Sequence, residues 1–149
     1  MAEPAGTGAV SLKIVTPQGV LYEGSADMVV MRTQDGDIGV LPRHEPVTAA
    51  LGYGIVRAFK GEDEILFSVL GGFAEITGES VVVLSDAAER QDQIDQARAV
   101  AAKERAERLL REQTDAVDIK KASLALRRAL VRIEASSYTL VGGRMGGKK

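Results

Sequence analysis

VVVLSDAAERQDQIDQARAVAAKERAERLL, Val81 to Leu110, changes its period midway. Val81 to Leu84 is a short β-branched run of the kind that forms strands. From Gln91 the chain turns to Ala, Arg, Glu and Leu, with apolar residues at helical spacing. The border falls near Asp86. Before it lie all four prolines, every glycine outside the last eight residues, and most of the Val, Ile and Phe; after it no Gly or Pro stands until Gly142. A β half is followed by an α half.

Working back from this border, strands are predicted near Ser11–Val15, Val20–Glu23, Met28–Thr33, Gly39–Leu41, Val47–Leu51, Ile55–Phe59, Glu64–Val69, Gly72–Ile76 and Ser80–Leu84. Turn signals separate them, among them Pro17-Gln18-Gly19, Asp35-Gly36, Gly52–Gly54 and Thr77-Gly78-Glu79. Many short, closely spaced strands with no helix-length segment between them argue for a sandwich or flattened barrel and against parallel βαβ units. Working forward, Ser85-Asp86 offers caps and Gln91 to Gln113 is one helical run. Asp115 with Asp118 resembles a capping box for a second helix over Val117 to Ser136. Ala99, Ala102, Ala106, Leu109 and Leu110 form one stripe; Ile119, Ala122, Leu126, Ala129, Leu130 and Ile133 form the other. The connection is short, so the helices are antiparallel neighbours. Their alanine-rich seam buries little area per residue and is expected to open with little cost. The fold class is β + α: an N-terminal β-sandwich or flattened barrel over residues 1–88, a two-helix hairpin over 89–138, and a flexible tail over 139–149.

Composition narrows the function. The chain has 149 residues, 45% of them hydrophobic, and a formal net charge of −2, which gives no global attraction to nucleic acid or anionic lipid. The absence of cysteine removes disulfide and thiolate chemistry, and His44 is the only histidine, so neither a cysteine- nor a histidine-rich metal site is expected. No apolar run is long enough for a membrane helix and the N-terminus does not read as a secretory signal, so a cytosolic protein is expected, on a membrane only through partners. Gly142 to Lys148 matches G-x-x-x-x-G-K, but Lys149 follows where a phosphate-binding loop needs Ser or Thr. Asp35-Gly36-Asp37 lacks the further oxygen ligands of a calcium loop and reads as a β-turn. His44 has no serine or second histidine at triad spacing. No catalytic residue is expected.

The arginines are more informative. Glu104 and Glu107 of the first helix can pair with Arg108 and Arg111 at i+4, whereas Ile119 to Ile133 carries Lys120, Lys121, Arg127, Arg128 and Arg132 with no acidic residue. Arg98 and Arg105 share one face of the first helix, Arg128 and Arg132 one face of the second. Four guanidinium groups on two antiparallel helices suit a phosphate-bearing ligand or an acidic partner.

IVTPQGVLYEGSADMVVMRTQDGDIGVLPRHEPVTAAL, Ile14 to Leu51, and VLGGFAEITGESVVVLSDAAE, Val69 to Glu89, resemble the β domain of epsilon subunits of bacterial F-type ATP synthases (delta in mitochondrial naming). D-G-D-I-G-V-L-P-R-H, Asp35 to His44, and G-G-F-A-E-I, Gly71 to Ile76, carry most of the likeness, which covers about residues 11–138. It implies a non-catalytic central-stalk subunit, needing no cofactor, at the cytoplasmic face of the membrane. The partners it implies are the gamma subunit, the c-ring and the alpha and beta subunits. Asp37 matches the family's ring contact and His44 its gamma contact. The family's hairpin folds down on the β domain or extends along gamma. The extended form restrains ATP hydrolysis, with Lys120, Lys121, Arg127 and Arg128 matching the cations that face the beta subunits. Some members bind ATP as a regulatory ligand through an I/L-D-x-x-R-A motif. Ile94-Asp95-Gln96-Ala97-Arg98-Ala99 matches it, joined by Glu89, Arg105, Arg128 and Arg132 at matching positions. Glu89 and the Ile94-Asp95 region would hold adenine, and the arginines the phosphates. A free-standing ATP-sensing module is the alternative reading of the same residues.

Overall fold

The computed structural model describes residues 8–138. The tail expected over 139–149 lies outside them. Eight strands come first: β1 (Val10–Thr16), β2 (Gly19–Ala26), β3 (Met28–Thr33), β4 (Gly36–Val40), β5 (Val47–Lys60), β6 (Asp63–Ile76), β7 (Ser80–Leu84) and β8 (Ala88–Arg90). A one-turn 3-10 helix, Gln91–Gln93, leads to α1 (Gln96–Glu112) and α2 (Ala116–Ser137). The β-sandwich followed by two helices is the expected fold.

The strands hydrogen-bond in the order β2-β1-β7-β6-β5-β3-β4, with β8 added to β6. All neighbours are antiparallel except β1 and β7, which are parallel; the chain between them runs through five other strands, not through a βαβ crossover. β6 pairs with β7 through Phe73–Ile76 and with β8 through Phe67–Val69, so its two halves serve different parts of a sheet that folds over its own core. Val10, Leu12 and Ile14 of β1, Val29 and Met31 of β3, Val56 of β5, Phe67 and Val69 of β6, and Val81 and Val83 of β7 meet in one cluster. Each aliphatic side chain buried there contributes about 1.5–3 kcal/mol. Tyr22 packs its ring at 5.1 Å from that of Phe67; burial pushes its hydroxyl pKa up, against the pull of the Arg90 charge.

Several local expectations are corrected. The strand pairs expected on either side of Gly52–Gly54 and Leu70-Gly71 are two long strands, β5 and β6, joined along most of their length. Glycine here permits continuation instead of stopping it. Gly72 has φ +103°, and a Cβ on it would come within 2.0 Å of the Leu84 carbonyl oxygen, so only glycine lets β6 pass this close to β7. The 3-residue β8 was not anticipated, being too short to show a period.

The first helix starts at Gln96, not Gln91, because Ile94 and Asp95 are extended and the Asp95 carboxylate accepts the Arg98 N–H at 3.0 Å. The Ser85 hydroxyl serves a turn instead, donating to the Ala87 carbonyl. Asp115 caps α2 by accepting the Val117 N–H at 2.8 Å. The buried residues of the hairpin are Ala99 and Ala106 on α1 and Ala122, Ala129, Val131 and Ala135 on α2, whereas Leu109, Ile119 and Leu130 stay exposed. The hairpin is folded down, with α2 touching β5 and β6 as well as α1.

Candidate functional site

β8, the extended Ile94-Asp95 step, α1 and α2 enclose a cleft of about 460 Å³. Glu89, Ile94, Asp95, Arg98, Ala99, Arg105 and Arg132 line it, seven of the eight residues expected around a nucleotide. Arg128 does not line it; it is exposed on α2.

Local structure explains the arrangement. The cap at Asp95 fixes where α1 begins and turns Arg98 into its first turn. Seven residues on, about two helical turns, Arg105 returns to the same face. The buried Ala99 and the small Ala101 and Ala102 leave room between the arginines. From the other helix, Arg132 Nε donates to Glu89 Oε1 at 2.7 Å, joining α2 to β8 across 43 positions of sequence. Glu89 thus has one carboxylate oxygen engaged by Arg132, while Arg98 and Arg105 line the same cleft. Three guanidinium groups against two carboxylates leave the cleft net positive, and one of those carboxylates is already used as a helix cap. Such a site suits a polyanion with donor groups at its other end.

Sequence reasoning missed Gln91, whose side-chain amide donates to the carbonyls of Ala135 at 2.8 Å and Tyr138 at 2.9 Å. These lie at the C-terminal end of α2, where carbonyls run out of i+4 partners and that of Ala135 also accepts the Tyr138 N–H, at 3.4 Å. A glutamine three residues before a helical motif gives no local signal of this. Gln96 adds a bond to the Ser137 hydroxyl at 3.1 Å.

The other expected contact residues are distributed elsewhere. Asp37 lies in β4 directly opposite Arg32 of β3, and the two side chains form an exposed ion pair whose hydrogen bond and charge push the Arg32 pKa up. His44 sits in the connection between β4 and β5, its Nδ1 2.6 Å from the Glu45 carbonyl oxygen. Arg43 beside it has φ 66°, and its N–H is bonded to the Gly78 carbonyl, so this connection rests on the β6–β7 turn. Lys120, Lys121 and Arg127 are exposed on α2, and the Arg127 guanidinium stands 4.8 Å over the Tyr53 ring.

One surface feature went unread in the sequence. The register aligns Ala50, Phe73, Leu84, Val15 and Val20 across five strands on the outer face of the sheet. Val20, Phe73 and Leu84 are 53%, 58% and 49% exposed. Neighbouring strands are about 4.8 Å apart, so the row is about 19 Å long. Phe73 and Leu84 are paired in the register, so their exposed side chains are neighbours on this face.

Family models match the whole described fold: "ATP synthase, Delta/Epsilon chain, beta-sandwich domain" over residues 9–91 and "ATP synthase, Delta/Epsilon chain, long alpha-helix domain" over 92–137. The ATP synthase epsilon chain of Halalkalibacterium halodurans is 44% identical over 126 residues, 84% of this chain and 95% of that one. That of Alkalihalophilus pseudofirmus is 48% identical over 128 residues, 85% of this chain and 96% of that one. In solved structures, a chain of the Euglena gracilis mitochondrial ATP synthase (OSCP/F1/c-ring) superposes with TM-score 0.76 at 22% identity, over 88% of this chain and 82% of that one. A chain of the Tetrahymena thermophila mitochondrial ATP synthase central stalk and c-ring gives 0.55 at 10% identity, over 86% and 96%. Those two likenesses bear on the fold; the bacterial relatives and the two consecutive domain matches bear on kinship, and by them the chain belongs to the ATP synthase delta/epsilon family, alongside the bacterial epsilon chains.

Proposed function

We propose that this chain is a non-catalytic central-stalk subunit of an F-type ATP synthase whose hairpin senses ATP. The apolar row and the His44 connection supply a docking face for the gamma subunit, and the exposed Asp37 near the start of β4 supplies the c-ring contact. The hairpin, when extended toward the alpha and beta subunits, presents Lys120, Lys121, Arg127 and Arg128 to an acidic surface and restrains hydrolysis. Among the described residues no helix is long and apolar enough to cross a membrane. In this reading the subunit is peripheral, held at the cytoplasmic face by the complex.

The observation that carries the regulatory half is the cleft. It draws on β8, α1 and α2 at once, so it exists only while the hairpin is folded down. A ligand shifts such an equilibrium by its differential affinity for the two states. ATP bound with its phosphates on Arg98 and Arg105 and its adenine amine toward Glu89 stabilises the folded form and keeps the cations of α2 from their partner. Arg128, off the cleft and exposed, serves the partner contact. Calorimetry on the full-length subunit tests this. ATP should bind saturably and better than GTP, whose ring presents a carbonyl where adenine has an amine. Arg98→Ala should weaken ATP about tenfold or more, given about 1.5–3 kcal/mol for a charge-assisted hydrogen bond. Equal affinities for ATP in the wild type and Arg98→Ala would refute the site.

A further inference from the structure

α2 is held down at three places along its length, the Arg132–Glu89 ion pair lying between the other two. Near its C-terminus, Gln91 holds the last carbonyls and the Tyr138 ring lies 5.0 Å from the Arg57 guanidinium. About three turns earlier, the Arg127 guanidinium stands 4.8 Å over the Tyr53 ring. Here the β domain is shaped to receive it. Tyr53 stands in β5 between Gly52 and Gly54. Gly71 of β6, at φ +78°, leaves open the space where a Cβ would come 3.2 Å from Tyr53 Cε1. The ring therefore lies on bare backbone. Arg127 and Tyr53 share the wall of a polar groove of about 570 Å³ with Asp86, apart from the nucleotide cleft.

We propose that Tyr53 is a docking platform for Arg127, holding the middle of α2 on the β domain and withholding this cation from any partner until the hairpin leaves. The proposal rests on the reading that the hairpin opens. While α2 is held on the β domain this cation is kept away from a carboxylate on another subunit, so the one contact stabilises the folded form and masks part of the surface that the extended form displays. Its attraction is electrostatic and needs both the ring face and the cation. Leucine in place of Tyr53 keeps apolar bulk but not the ring face. Phenylalanine keeps the ring and loses only the hydroxyl.

The chain has no cysteine, so a label pair can be placed uniquely at the exposed positions Glu79→Cys and Ala125→Cys of the full-length subunit. Distances from pulsed electron resonance then give the ratio of extended to folded hairpin. Tyr53→Leu and Arg127→Gln should each raise that ratio about two- to fivefold, the range set by an exposed cation–π contact. Tyr53→Phe should keep the wild-type ratio. The double variant Tyr53→Leu/Arg127→Gln should go no further than either single one, since both remove the same interaction. An extended population that is present in the wild type but unchanged in Tyr53→Leu and Arg127→Gln, or single effects that add in the double variant, would overturn the platform alone. A hairpin that stays folded in every variant would overturn the opening equilibrium, and the platform with it.

Discussion

Arg57 shows how much one side chain carries. Its Nε donates to Glu64 Oε1 at 2.7 Å, diagonally across the β5–β6 pair, and Glu64 is 1% exposed. The same guanidinium lies 4.8 Å from the Phe59 ring and 5.0 Å from that of Tyr138. A carboxylate this deeply buried draws support from the Arg57 charge, and breaking one side of a buried ion pair is strongly destabilising. Arg57→Ala should therefore cost on the order of 3 kcal/mol in urea denaturation. Arg57→Met/Glu64→Leu, which removes both charges and keeps the volume, should recover most of that loss. Neither residue stood out in the sequence: an arginine and a glutamate on adjoining strands look like two surface charges until the register brings them together. The candidate cleft was more legible. Ile94, Asp95, Arg98, Ala99 and Arg105 follow one another along α1 and its cap, where spacing translates directly into a shared face.

Among the elements, α1 begins late, and the reason has a functional side. Asp95 is at once a wall of the cleft and the N-cap of the helix that bears Arg98 and Arg105. Removing its carboxylate bares an N–H of the first turn. Asp95→Ala should lower stability by about 1 kcal/mol, while Asp95→Asn, an equally good cap, should lower it by a few tenths at most. Thermal unfolding of the full-length subunit measures both. If the cap is what matters to ATP, Asn restores binding together with stability; if the negative charge itself touches the ligand, Asn restores stability alone. The strands give the opposite lesson. Turn-forming glycines in the middle of β5 and β6 argued for breaks, yet both strands run on. A glycine's freedom fits a close-packed crossing as well as a turn, and the choice depends on a neighbour that is distant in sequence.

At the scale of the whole molecule, the β domain and the hairpin meet through polar and aromatic contacts, and the hairpin's own seam is alanine-rich. The bulky aliphatic core lies entirely within the β domain. Residues 1–91 should fold alone and unfold cooperatively, as followed by circular dichroism. A fragment ending at 88 cuts β8 from its pairing with Phe67–Val69 and should be less stable by about 1 kcal/mol or more. Failure of the longer fragment to unfold cooperatively would show that the β domain needs the hairpin. The sequence by itself determined the order of β half and α half, the two-helix hairpin, most strand positions and the run of cleft residues on α1. Each of these is written in local periodicity and turn chemistry, which act over a few residues. Only the tertiary structure decided that β5 and β6 are continuous and that Arg132 meets Glu89 while Arg128 stays outside. It alone placed Gln91 at the end of α2, Arg127 on Tyr53, and five apolar residues in one row across the sheet. Those contacts join positions tens of residues apart, and strand register and the rotation of a helix about its axis set them; both are fixed by the packing of the whole, not by any segment's own pattern.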